Sequence, residues 1–322
     1  MVGDSRQDKA AGGKTNDPAA DSVQVEDVFI QTPDNINLAA TLHLPAAGDR
    51  GGRGNGITVQ INSSMATPRQ YYRAFATHLA ARGFTLLAYD YRGVGGSLFE
   101  MVPAPHGRNS LDSGRIDQTV VADYLAHRFP DYIPTLVGHS FGGQMLGLTR
   151  HAARWRAVFL MGTSHGYYAK WPSPQRQRMW LRSHIMAPLL ARMPRAWQKR
   201  MEEKMGIPFA LGYEMSLYLR TPHFFITDDG QPIRPHNDEL RAVIRHVTLS
   251  DDEVVPPGSD IDLECFYPNA PRINDRMTPA DYGVQAVGHF GFFRRSMPTA
   301  AWTDAGDWLS AQVLPAQGAP KG

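Results

Sequence analysis

Only one cysteine, Cys265, occurs in 322 residues. An internal disulfide framework is therefore excluded, no metal cluster is suggested and no metal site is expected. Within DLECFYP, Cys265 reads as a buried structural thiol. Charge of one sign is also scarce. The net value is +2 at pH 7, with no long basic block, and nucleic-acid binding has no support. No stretch approaches the roughly 18 uninterrupted apolar residues that a membrane span requires, so no membrane span is expected. The opening MVGDSRQDKAAGGKTNDPAADS lacks the apolar centre of a secretory signal. Its bias suits a disordered tail over residues 1–22, and a cytoplasmic location follows as the default.

What is present is a rhythm of strands and helices. VEDVFIQTPDNINLAATLHLP (Val25 to Pro45) reads as two strands around the turn at Pro33-Asp34-Asn35. A loop from Gly48 to Gly56 precedes the short strand ITVQI. Next comes a helix with Tyr72, Phe75, Ala76 and Leu79 on one face and Gly83 as its stop. FTLLAYD, IPTLVG, RAVFLMG and AVIRHVTL read as further strands, and GVQAVG (Gly283 to Gly288) as the last. Helices are expected over Asp117 to Phe129, over GGQMLGLTRHA and over AAWTDAGDWLSAQVL. Such alternation points to a parallel sheet covered on both faces. The rhythm breaks between Ser164 and about Leu240, where tryptophans, methionines and prolines suggest an interrupted helical insertion. No internal repeat is visible. The expected organisation is a core of residues 23–163 and 241–315, a helical cap at 164–240, and a short tail at 316–322.

Gly138-His139-Ser140-Phe141-Gly142 has the G-x-S-x-G spacing of a strained strand-to-helix turn. Gly162-Thr163-Ser164-His165-Gly166 has it too, so the pattern alone decides nothing. Such a serine must open a helix, whose first backbone N–H groups can bind a developing oxyanion. FGGQMLG after Ser140 permits close packing, whereas HGYYAKWPSP after Ser164 is bulky and broken by proline. Ser140 is the better nucleophile.

A serine hydroxyl needs a base, and the base an orienting carboxylate. Of the 12 histidines, only His289, in AVGHFGFF, lies beyond the last expected strand. His139 is expected to pack beside the nucleophile, and His165 to line a pocket. AVIRHVTL is followed by Ser250-Asp251-Asp252-Glu253, at the strand end where open α/β sheets keep their sites. An acid row there also fits a plain solvated turn.

GHSFGG (Gly138 to Gly143), DYRGVGGS (Asp90 to Ser97), DDEVVP (Asp251 to Pro256) and GHFGFFR (Gly288 to Arg294) together resemble the α/β-hydrolase superfamily, over roughly residues 25 to 314. The last three look like a branch of bacterial hydrolases with unassigned substrates. The resemblance implies an α/β class fold: a mostly parallel eight-stranded sheet with helices on both faces and an inserted helical cap. It also implies a Ser140–Asp252–His289 triad and no cofactor. Asp252 is preferred to Asp251 because relatives carry the acid four residues before a proline, here Pro256. Serine at the elbow argues against the dehalogenase and epoxide-hydrolase branches. Asp90 and Arg92 fit a structural loop. Many relatives carry His-Gly where this chain has Asn62-Ser63-Ser64-Met65. Backbone N–H groups of Phe141 and Ser64 are the expected oxyanion donors, with Met65 and His165 contacting substrate.

The expected activity is hydrolysis of a carboxylic ester, or of an amide or thioester, on a small-molecule acyl substrate. An acyltransferase with the same triad and a non-catalytic ligand-binding protein are the alternatives, and oligomeric state is open. Lys170 to Lys204 carries nine Lys and Arg residues against two glutamates. That charge is either a solvated helical face or an entrance favouring anionic substrates.

Overall fold

The computed structural model describes residues 23–46, 54–97, 108–205, 208–227, 229–258 and 263–314. The two expected tails, most of the Gly48–Gly56 loop and the side chain of Cys265 lie outside the described residues.

Eight strands form one sheet: β1 (Gln24–Gln31), β2 (Asn37–Leu44), β3 (Ile57–Asn62), β4 (Thr85–Tyr89), β5 (Ile133–His139), β6 (Ala157–Met161), β7 (Val243–Leu249) and β8 (Arg272–Met277). Their order is β1-β2-β4-β3-β5-β6-β7-β8. The pairs β1/β2 and β2/β4 are antiparallel, and all others are parallel. This is the mostly parallel α/β-hydrolase arrangement that the motifs imply. Every residue of β3, β4 and β6 is buried. Their near-continuous apolar runs are what a sheet covered on both faces demands.

The helices are α1 (Arg73–Ala81), α2 (Arg108–Asp112), α3 (Gln118–Arg128), α4 (Phe141–Gln144), α5 (Gln175–Leu181), α6 (Ala187–Ala191), α7 (Arg195–Met205), α8 (Phe209–Tyr218), α9 (Leu263–Phe266), α10 (Gly288–Gly291) and α11 (Thr299–Val313). Strand β4 shows how they share the sheet. Leu86 and Ala88 join a core with Phe75 and Leu79 of α1 and Trp302 and Leu309 of α11. Leu87 and Tyr89, on the alternate face, join Val121 and Leu125 of α3 and Tyr218 of α8.

Two expectations are corrected. The last strand is RINDRM (β8), not GVQAVG. An edge strand with charged, exposed residues carries no apolar run to betray it. The GVQAVG stretch instead leaves a capped turn. Thr278 and Asp281 exchange capping bonds around Pro279–Tyr282, and Gly283 follows in the left-handed region at φ 69°. Second, the helix after the elbow stops at Gln144 and gives way to 3₁₀ turns at Leu146–Leu148 and Ala152–Arg154. Asn237 presses on Gly147 there, its Oδ1 2.1 Å from where a Cβ would stand. Glycines at 142, 143 and 147 further weaken helix propensity.

The segment between β6 and β7 is helical, as expected, with α5, a π turn at Arg182–Met186 and α6 forming one continuous run. One buried carboxylate fastens α8 of this insertion to the core. Glu214 accepts from the Asn109 side chain at 2.6 Å, the Ser110 hydroxyl at 2.6 Å and the Ser110 N–H at 2.9 Å. It thereby satisfies otherwise orphaned donors in the first turn of α2. Glu214→Ala leaves those buried donors unpaired. The expected cost is about 2–4 kcal/mol in urea unfolding, with Glu214→Gln milder because it retains an acceptor. An unchanged midpoint for Glu214→Ala would show that the anchor contributes nothing.

Candidate active site

At the end of β5 the chain reverses at Ser140, whose φ of 52° and ψ of −114° lie outside the regions that side chains favour. Neighbouring groups hold this geometry. The Ser140 N–H donates to the Met161 carbonyl at 2.8 Å, and the Ser140 carbonyl accepts from the Gly143 N–H at 3.0 Å and the Thr163 hydroxyl at 3.2 Å. Close approach requires the glycines. A Cβ on Gly142 would stand 2.1 Å from the Asn62 carbonyl oxygen, and one on Gly143 would stand 2.2 Å from Thr163 Oγ1. Tyr267 completes the brace by donating to the Gly143 carbonyl at 2.6 Å.

The second G-x-S-x-G loop backs the first one. Ser164 is buried, and its carbonyl accepts from the Gln144 side chain. Among the described residues other than glycine, positive φ occurs at Ser140 but not at Ser164.

Beyond β7, Asp252 Oδ2 lies 2.7 Å from His289 Nδ1, with both side chains almost fully buried. Asp252 Oδ1 accepts from the Val254 and Val255 N–H groups at 2.8 and 3.1 Å. These bonds fix the carboxylate, and the carboxylate fixes the ring with Nδ1 protonated and Nε2 left to act. Asp251 does different work. Its Oδ2 accepts from the Val287 and Gly288 N–H groups at 2.8 and 3.0 Å, tethering the loop that carries His289. Gly162, at φ 60°, backs the pair: a Cβ there would sit 3.3 Å from both Asp252 Oδ2 and the His289 ring. Sequence reasoning missed Gly162, although its position directly after the β6 run was the available signal.

His139 is buried beside these groups, its ring centroid 5.2 Å from that of His289. Burial, chiefly, holds its pKa well below the usual histidine value, so the ring is neutral. Its Nε2 lies 2.9 Å from the His289 carbonyl and its Nδ1 2.8 Å from the Tyr72 hydroxyl. Since a carbonyl only accepts, Nε2 carries the hydrogen and Tyr72 donates to Nδ1. Tyr72 in turn accepts from the Ser64 N–H at 2.8 Å. The Ser64 N–H, expected as an oxyanion donor, is thus engaged by a buried tyrosine. Tyr72 was foreseen as a core residue, not as the centre of this chain of bonds.

Phe141 follows Ser140 as the first residue of α4. Met65 is half-buried against the core. His165 is 2% exposed, with its ring 5.3 Å from Phe266. Burial first, then the Lys170 and Arg234 charges, pulls its pKa down to about 4. The result is a buried, neutral ring with Nδ1 unbonded among the described residues. Arg92 and Asp90 are structural. Arg92 forks onto Asp117 at 2.6 and 2.9 Å, and Asp90 holds the Arg69 and Gly96 N–H groups. Among the described residues no group of three or more His, Cys, Asp or Glu side chains could hold a metal ion.

The family model described as serine aminopeptidase, S33, matches residues 58–207. No curated protein matches the chain in sequence. Several solved structures are similar to it. An esterase of Pyrococcus furiosus shares 15% identity at a TM-score of 0.55, covering 94% of this chain and 96% of its own. The protein DcsB, solved with its substrate analogue, shares 15% at 0.58, covering 90% of this chain and 100% of its own. A hypothetical protein of Pseudomonas aeruginosa shares 19% at 0.53, covering 95% and 100%. At such identities the likeness is one of fold.

The glycine contacts generate a test of the turn itself. Gly142→Ala forces a Cβ against the β3 backbone, which has no flexible end to yield. Overpacking of this kind costs about 1–3 kcal/mol or more, so the melting temperature should fall by several degrees. Gly212→Ala, within α8 and with open space around its Cβ, is the control and should hold or slightly raise the melting temperature, since alanine favours a helix.

Proposed function

The chain belongs to the α/β-hydrolase superfamily, and on that premise we propose that it is a serine hydrolase cleaving a carboxylic ester through an acyl-enzyme on Ser140. The observation that carries this reading is the buried His289–Asp252 pair, 2.7 Å apart, whose histidine ring lies 5.2 Å from that of His139, the residue directly before a serine at φ 52°. Ser140 Oγ attacks the substrate carbonyl while His289 Nε2 takes its proton. Asp252 stabilises the imidazolium without itself taking the proton. The Phe141 N–H receives the developing oxyanion, a donor of a type that contributes about 10²- to 10³-fold in rate. His289 then returns the proton to the leaving alkoxide, and a water activated by the same ring releases the acid. The helical insertion between β6 and β7 serves as a cap over this site. The ester assignment draws support from the fold shared with the Pyrococcus furiosus esterase.

A fluorophosphonate probe should label Ser140 in the folded protein, and Ser140→Ala should abolish both labelling and hydrolysis of p-nitrophenyl esters. Ser164→Ala should leave most of the activity. Labelling that persists in Ser140→Ala and disappears in Ser164→Ala would move the nucleophile. Products analysed with an added alcohol report acyl transfer in place of hydrolysis.

The two aspartates separate by chemistry. Asp252→Asn removes the charge that holds His289 and should lower kcat by about 10⁴-fold. Asp251→Asn keeps an oxygen for the Val287 and Gly288 N–H groups, and a change below about tenfold is expected. Asp251→Ala loses that oxygen and should cost more than Asp251→Asn. The reverse ranking of the two asparagine variants would make Asp251 the orienting acid.

A further inference from the structure

Among the described residues, large apolar side chains are concentrated in the open at one place. Trp180, Leu181, Ile185, Met186, Leu189 and Met193 are all exposed, Leu189 by 56%. Leu181, Ile185 and Leu189 recur every fourth residue along α5, the π turn and α6, so they share one side of a single helical run. Another side is seated on the rest of the insertion: Ser183 is buried, and its carbonyl accepts from Arg220 of the segment after α8.

Charge singles out this face a second time. Between Trp171 and Met201 the chain carries Arg176, Arg178, Arg182, Arg192, Arg195, Lys199 and Arg200, and no aspartate or glutamate. Arg178, Arg182 and Arg192 are exposed along the same run as the apolar stripe. A contiguous exposed apolar patch marks an interaction surface. The stripe is interleaved with long cations of one sign, which would face like charge in a contact with a second copy of this face and opposite charge on an anionic surface. Arginine stems can lie along apolar surface while the guanidinium reaches phosphate oxygens. Basic residues beside leucine, isoleucine and tryptophan on one helix form the pattern of a segment lying in a bilayer interface. No helix among the described residues is long and apolar enough to cross a membrane, so the chemistry is that of lying on a surface.

We propose that this face docks the protein on an anionic phospholipid surface. Leu181, Ile185 and Leu189 enter the boundary between headgroups and acyl chains, and Arg178, Arg182 and Arg192 engage lipid phosphates. The inference goes beyond the hydrolase reading and does not rest on it, since binding is measured with Ser140→Ala protein that cannot consume the lipid through that serine.

The test is co-sedimentation with vesicles of phosphatidylcholine, alone or mixed with phosphatidylglycerol. Binding to the mixed vesicles should exceed that to phosphatidylcholine by about tenfold or more and should weaken as salt is raised. The double variant Leu181→Asp/Leu189→Asp should lower binding to mixed vesicles by about tenfold or more. In the Ser140-containing background it should keep its melting temperature and its turnover of a water-soluble ester. Tryptophan emission should shift to shorter wavelength on vesicle addition, and Trp180→Phe should remove most of that shift. No sedimentation with mixed vesicles would overturn the proposal, as would binding that survives the double variant. A dimer seen by light scattering, dissociated by the double variant and indifferent to vesicles, would assign the face to a second copy of the chain.

Discussion

At Ser140 the backbone occupies a left-handed conformation that a residue with a side chain adopts at a cost of about 1–3 kcal/mol. Such a turn persists only where the surroundings determine it several times over. Here the Met161 carbonyl, the Gly143 N–H and the Thr163 hydroxyl all bond to the Ser140 backbone. The need to bring β3, β5 and β6 close enough for this explains the small residues around the turn. Asn62 meets the absent side chain of Gly142, and Thr163 meets that of Gly143. Asn62 is itself held by Gln60, Tyr89 and Gln118, so the strand end that receives the turn is a fixed wall. The second glycine-flanked serine loop therefore has a physical role in the same device, as the support on which the first one rests.

A second set of bonds ties the distant chain segments of the site together. The Ser64 N–H, the Tyr72 hydroxyl, the His139 ring and the His289 carbonyl form one buried series, and each member fixes the donor or acceptor state of the next. His139 can serve in it only as a neutral ring, which is the state that burial enforces. A charged ring would present a donor at Nδ1, turning Tyr72 from donor to acceptor there and setting its lone pairs between two donors. From the other side Asp251 holds the backbone just before His289, while Asp252 holds its imidazole. Two adjacent carboxylates thus restrain one histidine at two points, and neither can replace the other because successive side chains leave the chain in different directions.

Much of this was legible from residue order. Interior strands announced themselves because burial on both faces demands apolar runs, and the face of α1 followed from helical spacing. Ser140 was separable from Ser164 by the requirements of an elbow, whereas the choice of Asp252 over Asp251 came from a spacing to proline that relatives carry. What escaped had no local signature. β8 is an edge strand whose polar residues look like a loop, and Val284 and Val287 resemble a strand although they follow a capped turn. The commitment of the Ser64 N–H to Tyr72 joins residues eight apart through a side chain, a matter of packing and not of pattern. Gly162 matters because of what lies 3.3 Å away from its missing side chain, which no single sequence records.

The insertion obeys a different logic from the core that carries it. Its inner side is fixed by specific polar contacts, with Glu214 buried against α2 and Tyr218, Phe224 and Phe225 packed into the apolar layer beneath. Its outer side, among the described residues, places leucine, isoleucine and tryptophan in water among arginines. Leaving such a stripe in water forgoes about 25 cal/mol per Å² of apolar surface. The inner face is held by these bonds and the outer one is open to solvent, so the outer face can change its surroundings while the Glu214 bonds to α2 persist.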